Sequence, residues 1–127
     1  MDAEFDKING IAFDNSDNLY ITDATRIRKF SLTINVVSTL AGNGNTGNAD
    51  GVGNAAEFNL PYGIIADQQS NLFIADAGNN NIRMLNPAGI TTTVAGNSSG
   101  GFKDGNGLNA LFNLPGGIPI DSQQKIY

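Results

Sequence analysis

Gly63-Ile64-Ile65-Ala66-Asp67 is the stretch on which the fold turns, because it is a repeat. Gly10-Ile11-Ala12-Phe13-Asp14 precedes it by 53 residues and Gly117-Ile118-Pro119-Ile120-Asp121 follows it by 54. The neighbouring blocks keep the same order. Asn18-Leu19-Tyr20-Ile21-Thr22-Asp23 matches Asn71-Leu72-Phe73-Ile74-Ala75-Asp76, and Lys125-Ile126-Tyr127 begins a third copy. Arg26-Ile27-Arg28-Lys29-Phe30 matches Asn81-Ile82-Arg83-Met84-Leu85, and Ser38-Thr39-Leu40-Ala41-Gly42-Asn43 matches Thr92-Thr93-Val94-Ala95-Gly96-Asn97. A long linker closes each unit, with Asp50-Gly51-Val52-Gly53 and Phe58-Asn59-Leu60-Pro61 set against Asp104-Gly105-Asn106-Gly107 and Phe112-Asn113-Leu114-Pro115.

Each unit holds four short apolar or alternating runs bounded by turn residues, the pattern of antiparallel strands. Strands are expected near 10–14, 19–23, 27–31 and 37–41, then 63–66, 72–76, 82–85 and 91–95, with the Gly-Ile strand innermost. Four-stranded units at this period are the sign of a propeller blade. The predicted fold is all-β: a partial propeller with two four-stranded blades (about 5–57 and 58–111) and the first half of a third (about 112–127), all in one region spanning 1–127. Helix is confined to single turns near Asn54–Glu57 and Leu108–Leu111. Pro119 removes a ladder donor from the third innermost strand and distorts it.

Composition agrees with a turn-rich globular chain: 127 residues, 40% hydrophobic, 15% charged and 16 Gly. Seven basic against twelve acidic side chains leave a net charge of −5. With no basic cluster, nothing in this fragment neutralises nucleic-acid phosphates. Cys and His are both absent, which removes thiol chemistry and the commonest general base and metal ligand. The acidic N-terminus has no apolar core of a signal peptide, and no run approaches a membrane span. The compartment is therefore not specified.

The order G-I-x-x-D, N-L-[YF]-I-x-D, N-x-I-R, T-x-[LV]-A-G-N, D-G-x-G and F-N-x-P-x-G resembles the NHL repeat, in its long-linker variety, within the class of six-bladed propellers that includes gluconolactonases. The stretch Asn71–Arg83 carries the strongest resemblance; Ile8 in place of a proline and Thr25 in place of the Gly-Asn-Asn turn are local departures in the first unit. The resemblance implies a ring of about six blades. Two units and a half cannot close one, so the chain is expected to be a piece of a longer propeller or to share edges between copies. It further implies a binding scaffold. The alternative is part of a propeller enzyme, a metal-dependent lyase or lactonase, whose active site lies in other blades.

On that resemblance the loop between the second and third strands and the long linkers 42–62 and 96–116 share one face. Asp76, Asn79, Asn80 and Asn81 are the candidate binding residues there; the Asn run reads first as turn chemistry, with side chains bonding backbone, and second as a ligand contact. Asp14, Asp67 and Asp121 end the first strands, and Asp23 and Asp76 the second. A carboxylate ring could hold a metal, but groups that recur in every unit are expected to cap turns and pair with Arg28 or Arg83 instead. An EF-hand-like series (Asn48, Asp50, Gly51, Glu57) fails at its first position, Thr46, and is not repeated in the second linker. No catalytic residue, metal or cofactor is expected. Partners are a protein or small ligand on the loop face, with neither nucleic acid nor membrane, and self-association through open blade edges. The core is expected to contain Ile11, Phe13, Leu19, Ile21, Phe58, Ile64, Leu72 and Ile74, while Ile118, Ile120 and Ile126 lack a blade to bury them.

Overall fold

The computed structural model describes residues 3–127. Strands β1 (Ile8–Phe13), β2 (Asn18–Asp23), β3 (Arg26–Ser31) and β4 (Val36–Ala41) form one antiparallel meander in the order β1-β2-β3-β4. A second meander contains β6 (Pro61–Ala66), β7 (Leu72–Asp76), β8 (Asn81–Leu85) and β9 (Ile90–Ala95). Among the described residues helix is limited to three 3₁₀ turns, η1 (Gly53–Ala55), η2 (Ala77–Asn79) and η3 (Gly107–Asn109). Two of these lie in the linkers beside the stretches named from sequence; η2 occupies the Gly-Asn-Asn turn.

The second sheet has five strands. Gly51 and Val52 of the first linker form β5 and pair antiparallel with Thr91 and Ile90 on the outer edge of β9. A segment of the first repeat thus completes the second sheet, and neither sheet is cut at the repeat boundary. In the third copy only an antiparallel bridge forms, Ile120 to Ile126, with Tyr127 N–H donating to Pro119 O at 3.1 Å. The proline ring removes a donor from the strand that would lie innermost.

The turn chemistry repeats with the units. Asp14 Oδ1 accepts the Ser16 and Asn18 N–H groups at 2.8 and 3.0 Å, Asp67 Oδ1 those of Gln69 and Asn71 at 2.9 and 2.8 Å, and Asp121 Oδ1 those of Gln123 and Lys125 at 2.8 and 2.9 Å. Each aspartate of the first series thus caps its own turn.

The innermost strands explain the invariant glycine. A Cβ on Gly10 would run into the carbonyl oxygen of Tyr62, and one on Gly63 into that of Gly116. Only a bare backbone allows successive innermost strands this close. Gly63 N–H donates to Gly116 O at 2.9 Å across the gap.

The core lies between the sheets. Tyr20, Ile27 and Ala41 of the first meet Ile64, Leu72, Ile74 and Leu85 of the second, and Phe58 and Ala56 of the linker seal the seam. Phe58, Ile64, Leu72, Ile74 and Ile21 are buried, as expected, whereas Leu19 is half-buried. Ile11 and Phe13 are not buried: each is 59% exposed. Their alternation is regular, and Ile11 sits on the face that corresponds to Ile64. That face is covered in the second sheet by the first, and among the described residues no sheet covers it in the first. Period-two spacing says which side chains share a face, not whether another layer lies on it. Ile118 is also a correction, in the opposite sense: it is 7% exposed, and with Phe73, Ile82 and Val94 it lines a pocket on the far face of the second sheet.

Paired substitutions at equivalent positions test this account. Ile64→Ala should cost about 2–5 kcal/mol of unfolding free energy. Ile11→Ala, one repeat earlier, should cost well under half of that. Urea unfolding followed by circular dichroism measures both; equal losses would refute the assignment of the covered and open faces.

Candidate functional site

One buried guanidinium ties the first linker to the second sheet. Arg83, on β8, is fully buried. Its Nη1 donates to Asp76 Oδ2 and to the Glu57 carbonyl, both at 2.8 Å, and its Nη2 to the Ala49 carbonyl at 2.7 Å and Asp50 Oδ1 at 2.8 Å. The guanidinium lies over the Phe58 ring, 5.0 Å from its centre. Only Nε lacks a partner. Arg83 therefore joins the end of β7 to both limbs of the first linker. Asp50 continues the tie outward, taking the Thr93 N–H and hydroxyl at 3.0 Å each.

The four residues singled out from sequence lie around this centre. Asp76 is fully buried, and its Oδ1 accepts the Asn59 N–H at 2.8 Å. Asn79 donates to Asp76 Oδ2 and to the Gly47 carbonyl, both at 2.7 Å. Asn81, also buried, donates to Asn48 Oδ1 at 2.8 Å, and Asn48 donates in turn to Ser98 Oγ. Asn80 adopts a left-handed conformation (φ 53°) and accepts the Leu114 N–H of the second linker at 2.8 Å. The structure brings all four together and engages each with linker atoms. Arg83 was foreseen only as a partner for aspartate; that it gathers two linker carbonyls as well left no trace in the local pattern.

The first unit has half of this arrangement. Arg28 pairs with Asp23 at 3.0 Å, donates to the Glu4 carbonyl at 3.1 Å and lies over Phe5. Asp23 accepts the Asp6 and Lys7 N–H groups at 2.8 and 2.9 Å.

Burial pushes the Asp76 carboxyl above its ordinary value, against the opposing pull of Asn79, the Asn59 N–H and Arg83. At Asp14 burial also pushes upward, but the Asn18 side chain and N–H, the Tyr20 hydroxyl and the Ser16 N–H outweigh it and hold the carboxyl at about 2. Among the described residues no three His, Cys, Asp or Glu side chains gather as a metal site would need.

Comparison with known proteins bears on this geometry. No family model matches the chain. It is 35% identical over 85 residues to NHL repeat-containing protein 2 of Bos taurus, a match covering 64% of this chain and 12% of that protein. It is 29% identical over 82 residues to the chloroplastic protein SUPPRESSOR OF QUENCHING 1 of Arabidopsis thaliana, covering 64% of this chain and 8% of that one. An auxiliary nutrient binding protein of Bacteroides thetaiotaomicron superposes with a TM-score of 0.75 at 26% identity, over 89% of this chain and 32% of its own. A second, from Bacteroides ovatus, gives 0.80 at 24% identity over 98% of this chain and 35% of its own. The fold is a partial β-propeller. It has a homologue among NHL repeat-containing proteins, and the chain spans only a small part of the curated relatives it matches, 8% and 12%.

Two substitutions test the centre. Arg83→Met leaves Asp76 buried without its counter-charge and should cost about 3–5 kcal/mol. Asp14→Asn tests acid lability. A folded pKa below the unfolded value of about 3.9 stabilises the native state above that value, and the contribution disappears as pH falls through the folded pKa. The stability difference between wild type and Asp14→Asn should therefore be constant above about pH 5 and shrink between pH 4 and 2. Denaturant titrations across that range would show no such convergence if the cap were energetically idle.

Proposed function

We propose that this chain is part of a binding scaffold whose linker face takes a small polar ligand. The observation that carries the reading is a division of labour on that face. Asp76, Asn79, Asn81 and Arg83 are committed to holding the linkers, so the loops are fixed before any ligand arrives. Outside that buried layer stand exposed amides. Among the described residues the Asn45 and Asn113 side chains make no hydrogen bond within the chain, and Asn80 is half-buried with its Nδ2 unengaged. Asn80 is thus the member of the sequence-derived set best placed to reach a ligand. Preformed loops on a rigid sheet are where binding concentrates, and prior ordering lowers its entropic cost. Amides donate and accept at once, which suits a neutral polar molecule more than an ion. The likeness to an auxiliary nutrient binding protein supports the same direction.

Thermal denaturation against a panel of neutral sugars, nucleosides and amino acids tests this. At least one compound should raise the midpoint saturably, and Asn45→Ala with Asn113→Ala should abolish that rise without moving the unliganded midpoint. A panel without effect, or a rise that survives the double substitution, would overturn the reading.

Self-association is the second part of the proposal. Phe5, Ile8, Ile11, Leu19, Ile21, Phe30 and Val37 line an open apolar depression of about 270 Å³ on the uncovered face of the first sheet. Exposed apolar surface of this kind drives association. Light scattering coupled to size-exclusion chromatography should give a mass above the 13.3 kDa of one chain, returning towards it in Ile11→Ser/Phe13→Ser. A wild-type monomer would exclude it.

A further inference from the structure

Lys29 departs from the repeat at a position where the other complete unit is apolar. Lys29 and Tyr20 are partners across β2 and β3, as Met84 and Phe73 are across β7 and β8. They share the face of the first sheet that packs on the second, where Tyr20 and Ile27 belong to the core. The second unit keeps the same strand pairing with methionine, so the architecture does not require a charge there.

Beside Lys29 the two sheets leave a cavity of about 90 Å³. Leu72 and Leu85, both buried, and Leu40 form its apolar wall. Tyr20, Lys29, Ser70 and Asn86 supply its polar lining. Ser70 and Asn86 stand in the β6–β7 and β8–β9 turns, at the end of the second sheet opposite η2. The cavity thus lies away from the loop that carries Asn79 and Asn80, between two complete units that both shape it.

The hydrogen bonding of this lining is one-sided. The Tyr20 hydroxyl is committed to Asp14 Oδ2 at 2.8 Å, and Asp14 is satisfied by that bond and three more from Ser16 and Asn18. Asn86 Oδ1 accepts the Ile90 N–H at 3.0 Å, and the Gly89 carbonyl accepts the Gly53 N–H at 2.9 Å. The polar side chains left over are able to donate. Among the described residues the Lys29 ammonium is in no ion pair, and the Ser70 hydroxyl and Asn86 amide nitrogen have no acceptor. All three side chains are half-buried. Lys29 rests over the Tyr20 ring, 5.9 Å from its centre, which holds the ammonium beside the cavity.

Free donors beside an aliphatic hollow suit an anion with a short apolar tail. A carboxylate only accepts, and its two oxygens can take an ammonium, a hydroxyl and an amide together. An apolar cavity of about 150 Å³ admits a six-carbon ring, so this smaller one suits a chain of three or four carbons.

We propose that the cavity between the sheets at Lys29 binds a short-chain aliphatic monocarboxylate. The carboxylate lies at Lys29, Ser70 and Asn86, and the tail lies against Leu40, Leu72 and Leu85. This site does not rest on the amide-rich linker surface proposed above, and it takes an anion where that surface takes a neutral molecule.

Acetate, propionate, butyrate and hexanoate, titrated at constant ionic strength into the isotope-labelled 127-residue chain, test the assignment. Amide resonances of Tyr20, Lys29, Ser70, Leu72 and Asn86 should shift saturably. Affinity should rise about fourfold with each methylene from acetate to butyrate, the worth of one buried CH₂. It should fall at hexanoate, which the cavity is too small to hold. Butyramide, the neutral isostere, should bind roughly threefold more weakly than butyrate, the worth of one partly exposed ion pair. Lys29→Met installs the residue of the second unit and should leave the unliganded melting midpoint in place. In that variant butyrate should lose its advantage over butyramide. Shifts that never saturate, an affinity indifferent to chain length, or a preference for butyrate that survives Lys29→Met would each overturn the assignment.

Discussion

A buried arginine is the constraint on which the rest of this structure depends. Removing a guanidinium from water is costly unless each donor finds an acceptor and the charge a counter-charge. Arg83 meets that demand at both terminal nitrogens, though not at Nε, with two carboxylates and two carbonyls drawn from the end of β7 and from both limbs of the first linker. Those acceptors converge only when the linker has crossed from the first sheet to the second. The electrostatic requirement of one side chain is thereby turned into a fixed position for a long connection.

From that position the remaining features follow. With Asp50 held by Arg83, its neighbours Gly51 and Val52 lie beside β9 and become a fifth strand. With Glu57 held, Phe58 and Ala56 drop into the seam between the sheets, where both are fully buried. Asn79 and Asn81 then fasten the more distal part of the linker at Gly47 and Asn48. The sheets are joined by apolar contact along their faces and by this polar clasp at one end. The apolar contact is adaptable, while the clasp, with its directional bonds, specifies how the linker runs.

Internal repetition makes the molecule its own comparison. The same contact appears in two units: Arg83 donates to the Glu57 carbonyl and lies over Phe58, and Arg28 donates to the Glu4 carbonyl and lies over Phe5, the matching residues one unit earlier. The sheet faces do not repeat so closely. The apolar face of the second sheet is covered by the first, whereas on the equivalent face of the first Ile11 and Phe13 are exposed and only Ile21 is buried. Repeats of this kind bury their surfaces mainly against neighbours, so equivalent positions acquire different burial according to what packs on them.

Strand positions, the meander order, the innermost Gly-Ile strand and the capping aspartates were legible in the residues themselves, because each rests on local rules: alternation, turn chemistry and the glycine that lets backbones meet. The candidate loop residues Asp76, Asn79, Asn80 and Asn81 were legible as a group for the same reason. Their partners were not, since Gly47, Asn48, Asn59 and Leu114 are brought to them only when the linkers close over the sheet. Nor did alternation reveal that Ile64 would be covered and Ile11 left open. Sequence by itself determined which side chains share a face and where the chain turns. Tertiary structure alone decided which faces find a neighbour and which charges find a counter-charge, because burial belongs to the packed array and not to any one strand.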